Sequence, residues 1–284
     1  MRYLTFFSKI TFIIFISFGL AAQADADNGI VVKSTNYTID KSSGEKTKLG
    51  NNTMYFTQDK LMIKQKDQNG KSTTVIFYGN KNEMVVFLNS KEYIVIDEAQ
   101  MAMIKQQLES VRAMMEQMKA NMTDEQKKMM DKNFPGKNGK KVTTTYQKDG
   151  SKTINGWTSS KYLALENGNK VSELYIASYR TLGVSKADFT AMEKLMQFFR
   201  KHLADISDQF NMGSDTGFMA LTGDNPAFNS GVPVKVTTFE GGKATSDTII
   251  ESVEKKALGE DLFAIPSHMQ KKDLGQMFQG GFGG

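Results

Sequence analysis

The stretch Glu92-Tyr93-Ile94-Val95-Ile96-Asp97-Glu98-Ala99-Gln100-Met101-Ala102-Met103-Ile104 is where the chain changes period. Residues 92–96 are rich in β-branched and aromatic side chains, as suits a short strand. From Met101 onward the apolar side chains return every three or four residues. Met101, Ile104, Leu108, Val111, Met115, Met118 and Met122 share one helical face. Lys105, Glu109, Arg112, Glu116 and Lys119 occupy another face with neighbours of opposite sign, the pattern of a solvated side. Asp97 stands in the N-cap position, and Gln100 three residues later completes a capping box. The spacing predicts a helix over 98–121. A second box, Thr123-x-x-Gln126, predicts a break after Asn121 and a short helix near 124–132, although the stripe nominally continues to Met129 and leaves a single bent helix open. Phe134-Pro135-Gly136 ends the helical region either way.

Upstream of this switch, 29–97 reads as short strands: 52–57, 61–66, 72–78, 83–88 and 92–96. Asp67-Gln68-Asn69-Gly70, Gly79-Asn80-Lys81-Asn82 and Asn89-Ser90 are turn chemistry between them. Connections this short make neighbouring strands antiparallel, because a parallel crossover needs a dozen residues or more. Downstream, strands resume at 141–148, 157–166 and 170–177, with Asp149-Gly150 and Glu166-Asn167-Gly168-Asn169 read as turns. A further helix starts at Ser185, with Asp188 three residues on, and carries the stripe Phe189, Met192, Met196, Phe199, Leu203, Ile206 and Phe210. Residues 211–230 read as a loop, and 232–239 with 243–253 as a hairpin about Glu240-Gly241-Gly242. Strands, helices, strands, helix, strands is the order of an α+β protein, an antiparallel sheet on which amphipathic helices bury their stripes. The expected organisation is one domain over 25–274, followed by a Gly-rich flexible tail, 275–284.

The first 24 residues place this domain in the cell. Arg2 and Lys9 flank the apolar run Phe12-Ile13-Ile14-Phe15-Ile16-Ser17-Phe18-Gly19-Leu20, and Ala22-Gln23-Ala24 is a small-residue cleavage site. That is the pattern of a secretory signal peptide cut after Ala24, and the run is shorter than the ~20 residues of a membrane span. The expected location is the periplasm or the exterior, with no transmembrane span in the mature chain. Loss of Arg2 and Lys9 takes the net charge from +5 to +3. Basic groups are dispersed, without the concentrated stripe and stacking aromatics that nucleic acid requires, so nucleic acid is not an expected partner. The chain has no cysteine, so its stability comes from burial without disulfides.

Catalytic machinery is hard to assemble from these residues, and a carboxylate-only hydrolase is the one arrangement that sequence leaves to fold position. The two histidines, His202 and His268, have no zinc spacing, and no G-x-S-x-G elbow or phosphate loop is present. Asp205 and Asp208, one helical turn apart, read as surface charge. The expectation is a protein without enzymatic activity and without a cofactor. Methionine is the notable residue: eight of 18 lie between 101 and 130. Flexible, polarizable thioethers suit an exchangeable apolar partner, and they are also soft ligands for Cu(I). Met114, Met115, Met118 and Met122 are therefore the alternative, metal-binding set. The Gly-Phe tail, with Phe278 and Phe282, offers a third reading as a contact to an envelope protein.

Three segments carry a resemblance. They are Met122-Thr123-Asp124-Glu125-Gln126-Lys127-Lys128-Met129-Met130; Thr153-Ile154-Asn155-Gly156-Trp157 leading through Tyr162 to Glu173-Leu174-Tyr175-Ile176-Ala177; and Gly231-Val232-Pro233-Val234-Lys235-Val236 running on to Asp261-Leu262-Phe263-Ala264-Ile265-Pro266. In this order they resemble a family of uncharacterised exported bacterial proteins, a domain of unknown function. That family is similar in shape to the half-barrel of periplasmic lipoprotein carriers and related mycobacterial lipoprotein folds. The resemblance implies a curved antiparallel sheet with the helices on its concave face and an apolar cavity for acyl chains. In relatives a Cys often follows the Asn-Gly pair; here that stretch is Trp157-Thr158-Ser159-Ser160, and no catalytic residue is implied. The resulting expectation is a periplasmic binding module for an apolar or amphiphilic ligand, such as a lipid or a lipoprotein acyl chain. Its contact residues would be Met115, Met118, Met192, Met196 and Phe199.

Overall fold

A computed structural model describes residues 28–123, 125, 144–207 and 229–275. The expected signal peptide, all but one residue of the predicted 124–132 helix, most of the predicted 211–230 loop and nearly all of the 275–284 segment lie outside them. Twelve strands form one sheet: β1 (Asn28–Ile39), β2 (Lys46–Phe56), β3 (Lys60–Asp67), β4 (Ser72–Tyr78), β5 (Glu83–Phe87), β6 (Glu92–Ile96), β7 (Thr144–Ile154), β8 (Trp157–Glu166), β9 (Asn169–Ser178), β10 (Gly231–Glu240), β11 (Lys243–Ala257) and β12 (Gln270–Lys271). The order is β12-β6-β5-β4-β3-β2-β1-β11-β10-β9-β8-β7, so two meanders are joined where β1 pairs with β11. All pairings are antiparallel except β12 on β6, which is parallel. Among the described residues two helices accompany the sheet, α1 (Glu98–Ala120) and α2 (Thr190–Ser207), as the α+β reading expected.

The local chemistry of the elements is direct. The Asp97 carboxylate accepts from the backbone N–H groups of Ala99 and Gln100 at 2.9 and 3.0 Å, and Asn121 caps the other end of α1. The helix therefore spans almost the predicted range. Asp188 accepts from the Ser185 N–H at 2.7 Å, but the first turn, Lys186–Phe189, is 3-10 and α2 proper begins at Thr190. Asp149-Gly150 departs from expectation. It lies inside β7, where the register against β8 shifts and Gly150 has φ 88°, so it is a bulge and not a turn. The turn is Asn155-Gly156, with φ 47° and 85°, the positive pair of a tight two-residue hairpin connection.

The sheet is open and curved. Bulges interrupt the pairing of β1 with both neighbours and of β10 with both of its own. The ladder between β10 and β11 ends at Lys235–Ile249. The Asn155 side-chain amide then donates to the next carbonyl along β11, that of Ile250, at 2.7 Å. In a flat sheet β8 would lie three strand spacings from β11, about 14 Å. Instead the β7–β8 hairpin tip rolls back over the sheet, and Ile154 and Trp157 join the main core.

That core lies on the helix side. Its sheet residues include Ile30, Val32, Met54, Phe56, Leu61, Ile63, Val75 and Phe77, and α2 adds Met192, Leu195, Met196, Phe198, Phe199 and Leu203. Phe189 stacks edge-on against Phe56 at 5.2 Å. A second, smaller core on the opposite face joins Met62, Ile76, Val85 and Val95 to Phe263, with the segment around Leu258, Leu262 and Ile265 lying across them. The Tyr78 hydroxyl fastens this strap by donating to the Phe263 carbonyl at 2.5 Å.

Candidate functional site

The helix-facing side of β1–β4 is graded along the strands. Ile30, Phe56, Leu61 and Phe77 are successive cross-strand partners and form one apolar row. Two residues further along, Val32, Met54, Ile63 and Val75 form a second, all of it buried. The third row, Ser34, Asn52, Gln65 and Thr73, is polar throughout and carries no charge. Period-two alternation puts all three rows on one face, and the fourth step along β1 is Asn36. Ser34, Asn36 and Asn52 are 3%, 3% and 5% exposed. Asn36 Oδ1 accepts from the Thr248 hydroxyl at 2.9 Å, but its Nδ2, Ser34 Oγ and Asn52 Oδ1 have no hydrogen-bond partner among the described residues. A buried polar atom left in that condition costs about 1–3 kcal/mol.

The residues singled out from sequence fall into two groups. Met192, Met196 and Phe199 come together on α2, 0%, 3% and 7% exposed, within the main core. On α1 the stripe starts in the same core, with Met101 and Ile104 1% and 2% exposed, but further along the helix Met114 and Met118 are 55% and 50% exposed. Met122, just beyond α1, is half-buried. Met115 belongs to α1, and its side chain lies outside the described residues.

His202 is an interhelical pin. Its Nε2 lies 2.6 Å from Glu98 Oε2, Lys201 Nζ meets the same carboxylate at 2.8 Å, and the ring packs on Phe198. The Lys201 ammonium, seconded by the His202 ring, holds the Glu98 carboxyl below the usual glutamate range. His268 Nε2 lies 3.3 Å from the Ser90 carbonyl oxygen, in a loop. Among the described residues no three His, Asp or Glu side chains gather as a metal would require, and no helix is long and apolar enough to cross a membrane.

The other face of the second meander carries a ladder of charge that sequence reading missed. Lys161 bridges Asp149 at 2.8 Å and Glu173 at 3.4 Å, and Lys170 reaches Glu173 at 2.9 Å. Burial pushes the Glu173 carboxyl up, but these ammonium groups outweigh it and leave the net shift downward. Asp247, 1% exposed, accepts from Thr237 and pairs with Lys46 and with Lys235, the latter at 3.5 Å. Alternation along β8–β11 signals such a face, but only the register reveals that its charges neutralise one another.

No family model matches the chain, and no curated protein sequence matches it. Solved structures similar to it include an uncharacterised conserved protein from Thermus thermophilus, at 8% identity over 85% of this chain and 89% of that one, with a TM-score of 0.41. The MucA/MucB complex of Pseudomonas aeruginosa aligns over 86% of this chain but 58% of the matched one, at 8% identity and a TM-score of 0.38. A LolA superfamily protein from Nitrosomonas europaea aligns over 86% and 92%, at 8% identity and a TM-score of 0.30.

Proposed function

We propose that this is an exported envelope protein that binds an apolar or amphiphilic ligand, without catalysis, between its helices and the graded sheet face. The observation that carries the reading is the run of α1 out of the core, from buried Met101 and Ile104 to exposed Met114 and Met118. A stripe that leaves the core half-exposed offers apolar surface of adaptable shape, and its burial by a ligand contributes about 25 cal/mol per Å² removed from water. Met118 would meet the ligand first, with Met192, Met196 and Phe199 forming the wall behind, and Met115 of the same helix is the further contact residue to test. The mature chain, loaded with the environment-sensitive apolar dye N-phenylnaphthylamine, tests this. Met118→Asp should leave the circular dichroism spectrum intact and weaken dye binding about tenfold; unchanged folding together with unchanged binding would overturn the reading.

A second reading follows from the same exposure. Met114 and Met118 stand one helical turn apart, and with Met115 and Met122 could offer thioethers to Cu(I). Replacing the four by Leu should keep the fold and abolish cuprous binding; unaltered affinity removes this reading.

A further inference from the structure

The helix-facing sheet passes from two apolar rows, packed under α2, to a polar one. The polar row is uncharged. Lys33 and Lys64, each next to a member of the row in sequence, alternate to the other face, and Lys33 and Glu254 pair there at 3.7 Å. Within the row, hydrogen-bonding capacity is left over where water has least access. Ser34 Oγ and Asn52 Oδ1 belong to directly opposed residues, whose Cβ atoms in such a pair stand about 5 Å apart. Asn36 is two positions along β1, about 6.6 Å away, and its Oδ1 is held by Thr248 so that the unpartnered Nδ2 has a fixed direction. One hydroxyl, one amide donor and one amide acceptor thus lie within the span of a small polyol or ester group. Burial rises along the row, from half-buried Thr73 and Gln65 to buried Asn52 and Ser34, so the row leads inward from a rim.

We propose that Ser34, Asn36 and Asn52 form a subsite for the uncharged, hydroxyl- or ester-bearing end of an amphiphile that enters past half-buried Gln65 and Thr73, because α2 already covers the apolar rows. This rests on the ligand class proposed above and specifies its head. A neutral head can trade its water for these three groups one for one. A carboxylate or phosphate would lose its hydration to a row holding no cation. The subsite therefore discriminates by charge: a monoacylglycerol fits it, and the corresponding fatty-acid anion does not.

The test compares three probes on the mature protein: monooleoylglycerol, oleate and N-phenylnaphthylamine. The native chain should displace dye with monooleoylglycerol at least tenfold more readily than with oleate. Ser34→Ala and Asn52→Ala should each erase most of that preference and leave dye affinity unchanged. They should also raise the Tm of the unliganded protein, because each removes a buried group whose partner is the ligand. Retained preference in both variants, or a lowered Tm with unchanged preference, overturns the subsite, and the latter marks these groups as structural ones satisfied by water. Dye binding without any glyceride preference overturns the subsite and leaves the apolar reading standing. Failure to bind any of the three overturns that reading and the subsite with it.

Discussion

Gly231 shows how little space the sheet leaves at single positions. A Cβ added there would sit 1.9 Å from the Ala177 carbonyl oxygen on the neighbouring strand, and backbone cannot move aside as a side chain can. Gly231→Ala should cost about 2–3 kcal/mol, the upper part of the usual range for one change, read as a lower urea midpoint. Asp247 presents the complementary case, a buried carboxylate with three partners. Removing one member of a buried charged set costs about 3–5 kcal/mol. Because the Lys46 side chain is 45% exposed, Asp247→Ala should fall near the lower end, about 3 kcal/mol, in the same measurement. Glu98 makes stability depend on pH. Its carboxyl is held below the ordinary value of 4.5 in the folded chain, so its contribution is complete above that value and is lost as the pH falls through the lowered one. The difference in urea midpoint between the native chain and Glu98→Gln should accordingly be largest near neutral pH and vanish in strong acid. His202 could be placed near a core boundary from its position beside Leu203 of the α2 stripe; its carboxylate partner, 104 residues away, could not.

At the scale of elements, what was legible followed from local chemistry. The Asp97–Gln100 box set the start of α1, and the three-four spacing set its apolar face. The spacing could not say how far along the helix the core extends, because a stripe looks the same over a sheet and beyond it. The consequence is measurable: Met101→Ala should cost about 2–5 kcal/mol, as truncation of a buried methionine does, whereas Met118→Ala should change stability by no more than about 0.5 kcal/mol. Equal costs would contradict the exposure gradient of α1. In β7 the sequence pair Asp149-Gly150 suits a turn and a bulge equally well. The choice between them is made by the strand pairing of β7 with β8, which holds Lys148 opposite Tyr162 and Ser151 opposite Ser160.

Across the whole molecule, the antiparallel sheet was legible from short connections, but the joining of its two meanders was not: pairing β1 with β11 joins residues more than two hundred positions apart. The covering of both faces of the first meander did leave a signal. Leu61-Met62-Ile63, Val75-Ile76-Phe77, Met84-Val85-Val86 and Ile94-Val95-Ile96 are unbroken apolar runs, and strands buried on both sides read as runs where half-exposed ones alternate. The polar row was illegible for a physical reason, since Ser34, Asn52, Gln65 and Thr73 are scattered along the chain and only the register of four strands makes them neighbours. The most direct test of ligand binding is native mass spectrometry of the mature protein, purified gently from a bacterial periplasm and then offered monooleoylglycerol. The account predicts an adduct of acyl-chain mass, either carried through purification or gained on addition, that Met118→Asp diminishes. A bare polypeptide mass that stays bare in excess glyceride would contradict it.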